Sequence, residues 1–325
     1  MELEFLKCHG SGNDFIIIDE WSKDYAFSET ERVELAKQLS RRNAVIGSDG
    51  ILFVLPSSKA HAAMRMFNSD GSEAEMCGNG LRCVARYVLE IAGKDKLTIE
   101  TMKANLEVAR VPDVYEGVQS FEVAIEPVSF ETDTLPLKNE SRDLISQPIP
   151  QLHQSLRFTA LSVPNPHLVA LVEDINDEML EEIGNKANAN KDILPNGTNV
   201  SFVKDLGEGS IFVRTFERGV GLTNACGTAM SASTVVSCVL GNQNLDEVIT
   251  VLNPGGMVQT KVFKKDESTY AVKLRGNATY EFSGIVDLHL NKEENTQLLE
   301  IIEFEEEQAL YQQMADFANK KTIKL

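Results

Sequence analysis

Residues 68–93, NSDGSEAEMCGNGLRCVARYVLEIAG, place Cys77 against a glycine-rich polar turn that leads directly into a helix. After this turn, apolar side chains recur at i, i+3, i+4 and i+7, the spacing of a helix that buries one face. These residues are Val84, Tyr87, Val88 and Ile91. Gly93 provides the C-terminal stop. The thiol is therefore expected at a helix N-terminus, where unpaired N–H groups bind anions and favour a thiolate.

The same pattern occurs again in residues 224–241, NACGTAMSASTVVSCVLG, where Cys226 precedes a glycine, a small polar turn and a helix-length run. An internal duplication is the simplest explanation, and it predicts two pseudo-symmetric domains. Two such thiols suit a racemase without a cofactor, because one can take a proton from a carbon acid while the other returns one. Free cysteines are often merely buried, but packing alone does not require a glycine and a polar turn after each one.

The charge balance limits the classes of partner. The chain has 31 basic and 49 acidic residues among 325, and its formal net charge is −18. This charge opposes binding to nucleic acid or to an anionic membrane. The expected partner is a small-molecule substrate, and the assembly considered is a homodimer.

The cysteine content indicates the compartment. Five cysteines, an odd number without the paired spacings of a zinc ribbon or a redox C-x-x-C motif, favour a reducing environment. We therefore expect no metal site. The first residues, MELEFLKCHG, lack a signal-like apolar core, so a cytoplasmic location is expected. Cys8, Cys83 and Cys238 are interpreted as structural.

Changes in periodicity suggest the domain division. Short strand-like runs dominate the chain, but between Pro127 and Gln154 it loses periodicity and gains proline and polar residues. We predict an N-terminal domain at 1–127, to which the chain returns from about residue 277, and a C-terminal domain at 128–276. Residues 291–325 are predicted as an acidic helical tail, because Leu298, Ile301 and Ile302 follow a helical period within it.

Six separated motifs resemble those of the diaminopimelate epimerase family. In order they are HGSGNDF, FNSDGSEAEMCGNGLRCVARYV, NPH, NGTNV, ERGVG and ACGT, and they extend over about residues 3–288. The resemblance implies an α/β (α+β) fold of two pseudo-symmetric domains, each a mixed-strand, barrel-like sheet around a central helix, with the active site in the cleft between them. It also implies conversion of LL-2,6-diaminopimelate to the meso isomer without a cofactor, in lysine and peptidoglycan precursor biosynthesis.

The resemblance assigns roles to residues of this chain. Cys77 and Cys226 match the two acid-base thiols. The residues that match substrate-binding positions are Asn13, Asn68, Gly78, Asn79, Asn165, Asn199, Glu217, Arg218, Gly227 and Thr228. His167 and Glu217 match positions close to the thiols, where they would relay a proton or support the site.

Four other functions compete with this one. A proline or hydroxyproline racemase of the same fold also uses paired cysteines, although the asparagine in MCGNG favours diaminopimelate. A thiol hydrolase could use Cys77 with His167, but it leaves Cys226 unexplained. A binding protein without chemistry would tolerate the loss of both thiols. A pyridoxal-phosphate racemase would need a lysine that forms a Schiff base with the cofactor.

Overall fold

Two compact units make up the chain in the computed structural model, which describes residues 1–135, 137, 142–163, 165–207, 209–290 and 295–323. The first unit contains Met1–Val123 and Gly276–Met314, and the second contains Ala124–Arg275 and Ala315–Leu325. The change from the first unit to the second falls at Val123, within a single strand.

The first unit begins with a run of strands interrupted by two helices. The elements are β1 (Glu2–Gly10), β2 (Asn13–Asp19), α1 (Glu29–Ser40), β3 (Gly50–Leu55), β4 (Ala62–Asn68), β5 (Glu73–Ala74), α2 (Gly78–Ala92), β6 (Lys96–Glu100), β7 (Asn105–Tyr115) and β8 (Val118–Ser129). The sheet runs β1-β2-β3-β4-β6-β7-β8 with β5 beside β4, and only the β2–β3 and β4–β6 pairs of this run are parallel.

The second unit repeats this order of elements. They are β9 (Gln147–Pro148), β10 (Arg157–Val163), β11 (Asn165–Leu171), α3 (Asp177–Ala189), β12 (Asn199–Gly207), β13 (Ser210–Glu217), β14 (Gly221–Thr223), α4 (Gly227–Val239), β15 (Val248–Asn253), β16 (Gly256–Lys264) and β17 (Thr269–Asn277). From β10 to β16 the order of strands and helices matches that from β1 to β7. The parallel pairs β11–β12 and β13–β15 are equivalent to the parallel pairs β2–β3 and β4–β6 of the first unit.

The sheet of the second unit closes on itself. Within the described residues, eight strands form a ring, because β8 pairs with both β10 and β17. The mixed α+β class and the duplicated architecture predicted from the sequence are confirmed.

Each unit is built around one buried helix. Helix α2 contacts β1, β2, β3, β4, β6 and β7, and helix α4 contacts the equivalent strands β10, β11, β12, β13, β15 and β16. Because a helix surrounded by strands has no solvent-facing side, α2 is buried almost all round at its N-terminal end. Helix α4 consists largely of small residues, and its buried hydroxyls donate to the carbonyls of the preceding turn.

The outer helices cover the other face of each sheet. A capping box begins α1, since Ser28 and Glu31 bond each other's backbone N–H groups, and Leu35 and Leu39 enter the hydrophobic core beneath. Its counterpart α3, which the sequence analysis missed, buries Leu180 and Ile183 in the same way.

The C-terminal segment corrects one prediction. Its elements are β18 (Thr279–Asp287), β19 (Gln297–Glu303) and α5 (Glu305–Ile323), while residues 291–294 and 324–325 of the predicted tail lie outside the described residues. The predicted helix over Leu298, Ile301 and Ile302 is wrong, because β19 pairs antiparallel with β18, which in turn pairs with β1. Helix α5 begins only at Glu305.

A second correction concerns the face of α2. Ile91, expected to be buried with Val84 and Val88, lies in the last turn of the helix and is 47% exposed, whereas Leu89 in the same turn is buried.

Candidate active site

Cys77 is the N-cap residue of α2, as the sequence predicted. Its Sγ accepts a hydrogen bond from the Gly80 N–H at 3.3 Å, and Gly93 ends the helix in the left-handed conformation. The first N–H groups of a helix have no intrahelical acceptor, so those of Gly78 and Asn79 are available to an anion beside the thiol. The thiol is half-buried.

The turn between β1 and β2 brings Asn13 to this thiol. Asn13 Oδ1 lies 4.0 Å from Cys77 Sγ and accepts a hydrogen bond from Asn79 Nδ2 at 3.3 Å. Asn13 Nδ2 donates to Asp49 Oδ2 at 2.6 Å, which fixes the amide orientation. Asp49 was not singled out from the sequence, although it lies in the glycine turn before β3. Asn68, at the end of β4, donates from Nδ2 to Ser72 Oγ at 3.0 Å, a hydrogen bond within its own turn.

A buried arginine behind the Cys77 turn was also missed. Arg82 is 0% exposed, and it donates from Nε to the Asn277 carbonyl at 3.0 Å and from Nη2 to Ser11 Oγ at 2.9 Å. Burial lowers its pKa, while a negative charge on Cys83 or Cys77 acts in the opposite direction. Arg82 thus places a positive charge where it attracts a Cys77 thiolate. Its sequence signal was its place beside the apolar residues Leu81, Cys83 and Val84 near the start of α2.

Cys226 occupies the equivalent N-cap position of α4. Its Sγ lies 3.5 Å from Thr228 Oγ1, and the side chain is buried, with 8% exposed. Burial first, and then the negative charge of Glu217, raise the pKa of this thiol well above its ordinary value. Thr223 holds Glu217 in place by a hydrogen bond of 2.6 Å. Cys226 therefore carries its proton at neutral pH, as a general acid must. The N–H groups of Gly227 and Thr228 stand at the start of α4, as those of Gly78 and Asn79 do at the start of α2.

A second cluster of polar side chains lies on β11, β12 and the end of β13. His167 and Asn199 are register partners on the parallel strands, and the Arg218 N–H donates to Asn199 Oδ1 at 2.9 Å. His167 Nε2–H donates to Asn165 Oδ1 at 2.9 Å. Burial first, and then the positive charge of Arg218, lower the pKa of His167 to about 3. The structure thus brings together four of the predicted substrate-binding or supporting residues.

Two groups in this cluster suit the two charges of an amino acid. His167 is neutral at physiological pH, and its buried Nδ1 has no hydrogen-bond partner among the described residues, so this lone pair can accept from an ammonium group. Arg218 is exposed and donates to the Asn196 carbonyl at 2.8 Å, and no carboxylate of the described residues pairs with it. Its guanidinium can therefore bind a carboxylate.

No group of three or more histidine, cysteine or acidic side chains among the described residues is arranged to hold a metal ion. No helix in the described part of the chain is both long and apolar enough to cross a membrane.

Comparison with known sequences identifies the relatives of this chain. The family model for diaminopimelate epimerase matches residues 5–120 and 159–280. The diaminopimelate epimerase of Clostridium acetobutylicum is 46% identical over 320 residues, which cover 98% of this chain and 96% of that protein. The enzyme of the same name from Listeria monocytogenes serotype 4a is 41% identical and covers 95% of each chain.

Comparison with solved structures supports the fold. A Bacillus anthracis phenazine biosynthesis protein of the PhzF family superposes with a TM-score of 0.64 at 18% identity, covering 89% of this chain and all (100%) of that one. A hydroxyproline epimerase from Agrobacterium vitis gives a TM-score of 0.58 at 15% identity, covering 92% and 93% of the two chains. At such low identity these similarities show the shared two-domain fold and nothing about the substrate.

Proposed function

This chain belongs to the diaminopimelate epimerase family, and we propose that Cys77 and Cys226 are the two acid-base groups of its reaction. The protein is an isomerase that converts LL-2,6-diaminopimelate to the meso isomer in lysine biosynthesis. The observation that carries the proposed roles is the duplication: each thiol is the N-cap of the central helix of its unit, at the same place in the order of elements.

The chemistry that we propose needs one thiolate and one thiol. In the LL to meso direction or its reverse, the thiolate takes the α-proton from one face of the substrate carbon, and the other thiol gives its proton to the opposite face. The two thiols thereby exchange protonation states and the substrate gains no net proton. Cys226 rests in the protonated form, because burial and Glu217 raise its pKa, so Cys77 is the base in the resting enzyme.

Removal of an α-proton leaves negative charge that spreads onto the substrate carboxylate, and stabilising this charge is a large part of the task. We propose that the N–H groups of Gly78 and Asn79 at one helix start, with Gly227 and Thr228 at the other, donate to this carboxylate. Fixed amides at a helix N-terminus need little reorganisation as the charge develops.

The distal amino acid end of diaminopimelate requires a separate set of contacts. We propose that Arg218 binds its carboxylate and that Asn165, His167 and Asn199 orient the ammonium group. The hydrogen bonds and strand pairing that bring these four residues together support this proposal. Asn13 and Asn68 remain proposed substrate contacts, Asn13 through its place beside Cys77. Glu217 is proposed as support for Cys226.

Location and assembly are proposals as well. We infer a reducing cytoplasmic location, because all five cysteines are free thiols and the two catalytic ones act only when reduced. The homodimer expected from the sequence stays a prediction.

Isotope exchange tests the proposed reaction. Purified, reduced protein incubated with LL-diaminopimelate in heavy water should form the meso isomer with deuterium at the α-carbon, because the proton that is returned comes from a solvent-exchanged thiol. Mass spectrometry of the product measures this, with proline and hydroxyproline as control substrates. Deuterium uptake by the controls and none by diaminopimelate would instead favour the proline racemase alternative, to which the structural similarity extends.

A further inference from the structure

The strand and helix at the C-terminus lie beyond the last residue that the family model matches, residue 280. Strand β19 extends the sheet of the first unit through β18, and the Phe304 N–H that follows donates to the Glu281 carbonyl at 2.9 Å. Helix α5 then begins, and Met314 on its inner face is 0% exposed. The first half of α5 is therefore an integral part of the first unit.

Tyr311 of α5 packs against the turn that carries Asn13. Its ring centroid lies 4.2 Å from that of His9, with an interplanar angle of 64°. Its hydroxyl would lie 3.1 Å from a Cβ atom built on Gly12, whose φ is +78°. The Gly12 N–H in turn donates to His9 Nδ1 at 3.2 Å. Tyr311 thus packs against both His9, in β1, and Gly12, which directly precedes Asn13.

Glu307 of α5 joins the same segment to helix α2. Its two carboxylate oxygens accept hydrogen bonds from Arg86 Nη1 and Nη2 at 2.6 and 2.7 Å. The Arg86 side chain is only 4% exposed, and Nη1 also donates to the Ala278 carbonyl at 2.7 Å. A bidentate pair of this kind fixes direction as well as distance. Helix α2, whose N-cap is Cys77, is therefore held by the same helix that covers the Asn13 turn.

We infer that Tyr311 and Glu307 are positioning residues for the Cys77 thiol, and that the C-terminal helix clamps the β1–β2 turn against α2 so that Asn13 stays beside Cys77. This inference rests on the proposed role of Cys77. Asn13 reaches the thiol only if the turn and the helix start keep their relative places, and a glycine at position 12 gives the turn little stiffness of its own. Tyr311 supplies the restraint on the turn, and Glu307 supplies the restraint on the helix.

Substitutions at Tyr311 test the inference in the full-length protein. Tyr311→Leu keeps an apolar side chain but removes the ring and hydroxyl, and Tyr311→Phe removes the hydroxyl alone. Because a displacement of about 1 Å in a catalytic group can cost roughly a hundredfold, we expect kcat to fall by up to about that factor in the first variant and less in the second. Gln313→Ala, on the exposed side of the same helix, should retain the parent kcat.

A second measurement does not depend on catalysis. Iodoacetamide labelling at pH 7, followed by peptide mass mapping, gives separate alkylation rates for Cys77 and Cys226. In Tyr311→Leu the Cys77 rate should rise, because the loosened turn uncovers the thiol, while the Cys226 rate should not change. If Tyr311→Leu does not fold, the alkylation rates of Cys77 and Cys226 in Tyr311→Phe provide the same test.

Two results would overturn the inference. One is an unchanged Cys77 alkylation rate in the folded variant, which would leave Tyr311 a stability role only. The other is an equal rise at both thiols, which would indicate general loosening of the protein. Should Cys77→Ser prove fully active, the proposed function fails, yet the alkylation rates still report whether Tyr311 controls the Cys77 turn.

Discussion

At the scale of the residue, the environments of the two thiols differ although their positions match. Cys77 accepts a backbone N–H bond and lies on the same helix as the buried Arg82, whereas Cys226 is more deeply buried and faces Glu217. Positive charge and N–H groups favour a thiolate, while burial and a carboxylate favour a thiol. This asymmetry keeps the proton on Cys226 and is the basis for the proposal that Cys77 is the base. The sequence could not predict it, because Arg82 and Glu217 reach the thiols only through the fold.

His167 gives a prediction for the pH dependence of stability. Its pKa falls from 6.5 to about 3 on folding, so between these values the unfolded chain binds a proton that the folded chain does not. Above pH 6.5 His167 is neutral in both states and does not change the free energy of unfolding with pH. Below pH 6.5 the free energy of unfolding falls by about 1.4 kcal/mol per pH unit, because the unfolded chain takes up the proton. In His167→Gln the slope of the free energy of unfolding against pH should be smaller by this amount between pH 6 and 4, as measured by urea unfolding. Parallel curves would show that His167 titrates normally in the folded protein.

At the scale of the element, the helix starts were predictable and the C-terminal strand was not. A cysteine, a glycine and a polar turn before an apolar run are local signals, and they placed the N-caps of α2 and α4 correctly. The run from Leu298 to Ile302 has a helical period but becomes a strand, because the preceding strand β18 offers it a sheet edge. Tertiary pairing of this kind overrides a short local pattern.

The contact between β1 and the start of α2 leaves no space for a side chain. A Cβ atom at Gly10 would lie 2.9 Å from the Asn79 carbonyl oxygen and 3.0 Å from Arg82 Nη2. Gly10→Ala should therefore push the helix start away, with a loss of about 1–3 kcal/mol in stability and a fall in kcat. Gly284→Ala is the matched control, since its Cβ would overlap the Glu300 carbonyl oxygen, in a strand pair that carries no proposed site residue.

Steady-state kinetics and thermal unfolding of the two glycine variants separate the effects. Both should lose stability, and only Gly10→Ala should lose turnover per folded molecule. Equal kcat values would contradict the view that the position of the α2 start limits the reaction.

At the scale of the whole molecule, the same arrangement of strands and helices occurs twice in the chain. The order of strands and helices, the parallel pairs and the N-cap cysteine recur in the two units, although the helices differ in composition. The duplication was visible in the sequence because the cysteine turn survives in both halves. The closure of the second sheet was not, because it leaves no local signal in the sequence. The outer helix α3 was missed although Asn176 caps it and Leu180, Ile183 and Ala187 follow a helical period.

The claim that this duplication serves two-base catalysis is tested most directly by the epimerisation rate of four serine variants. Cys77→Ser and Cys226→Ser should each lower kcat/KM for LL-diaminopimelate by about a hundredfold to ten-thousandfold, because serine is a far weaker acid in the same place. Cys83→Ser and Cys238→Ser, within the helices rather than at their starts, should keep the activity of the folded protein. Comparable losses in all four variants, or full activity in either of the first two, would contradict the account.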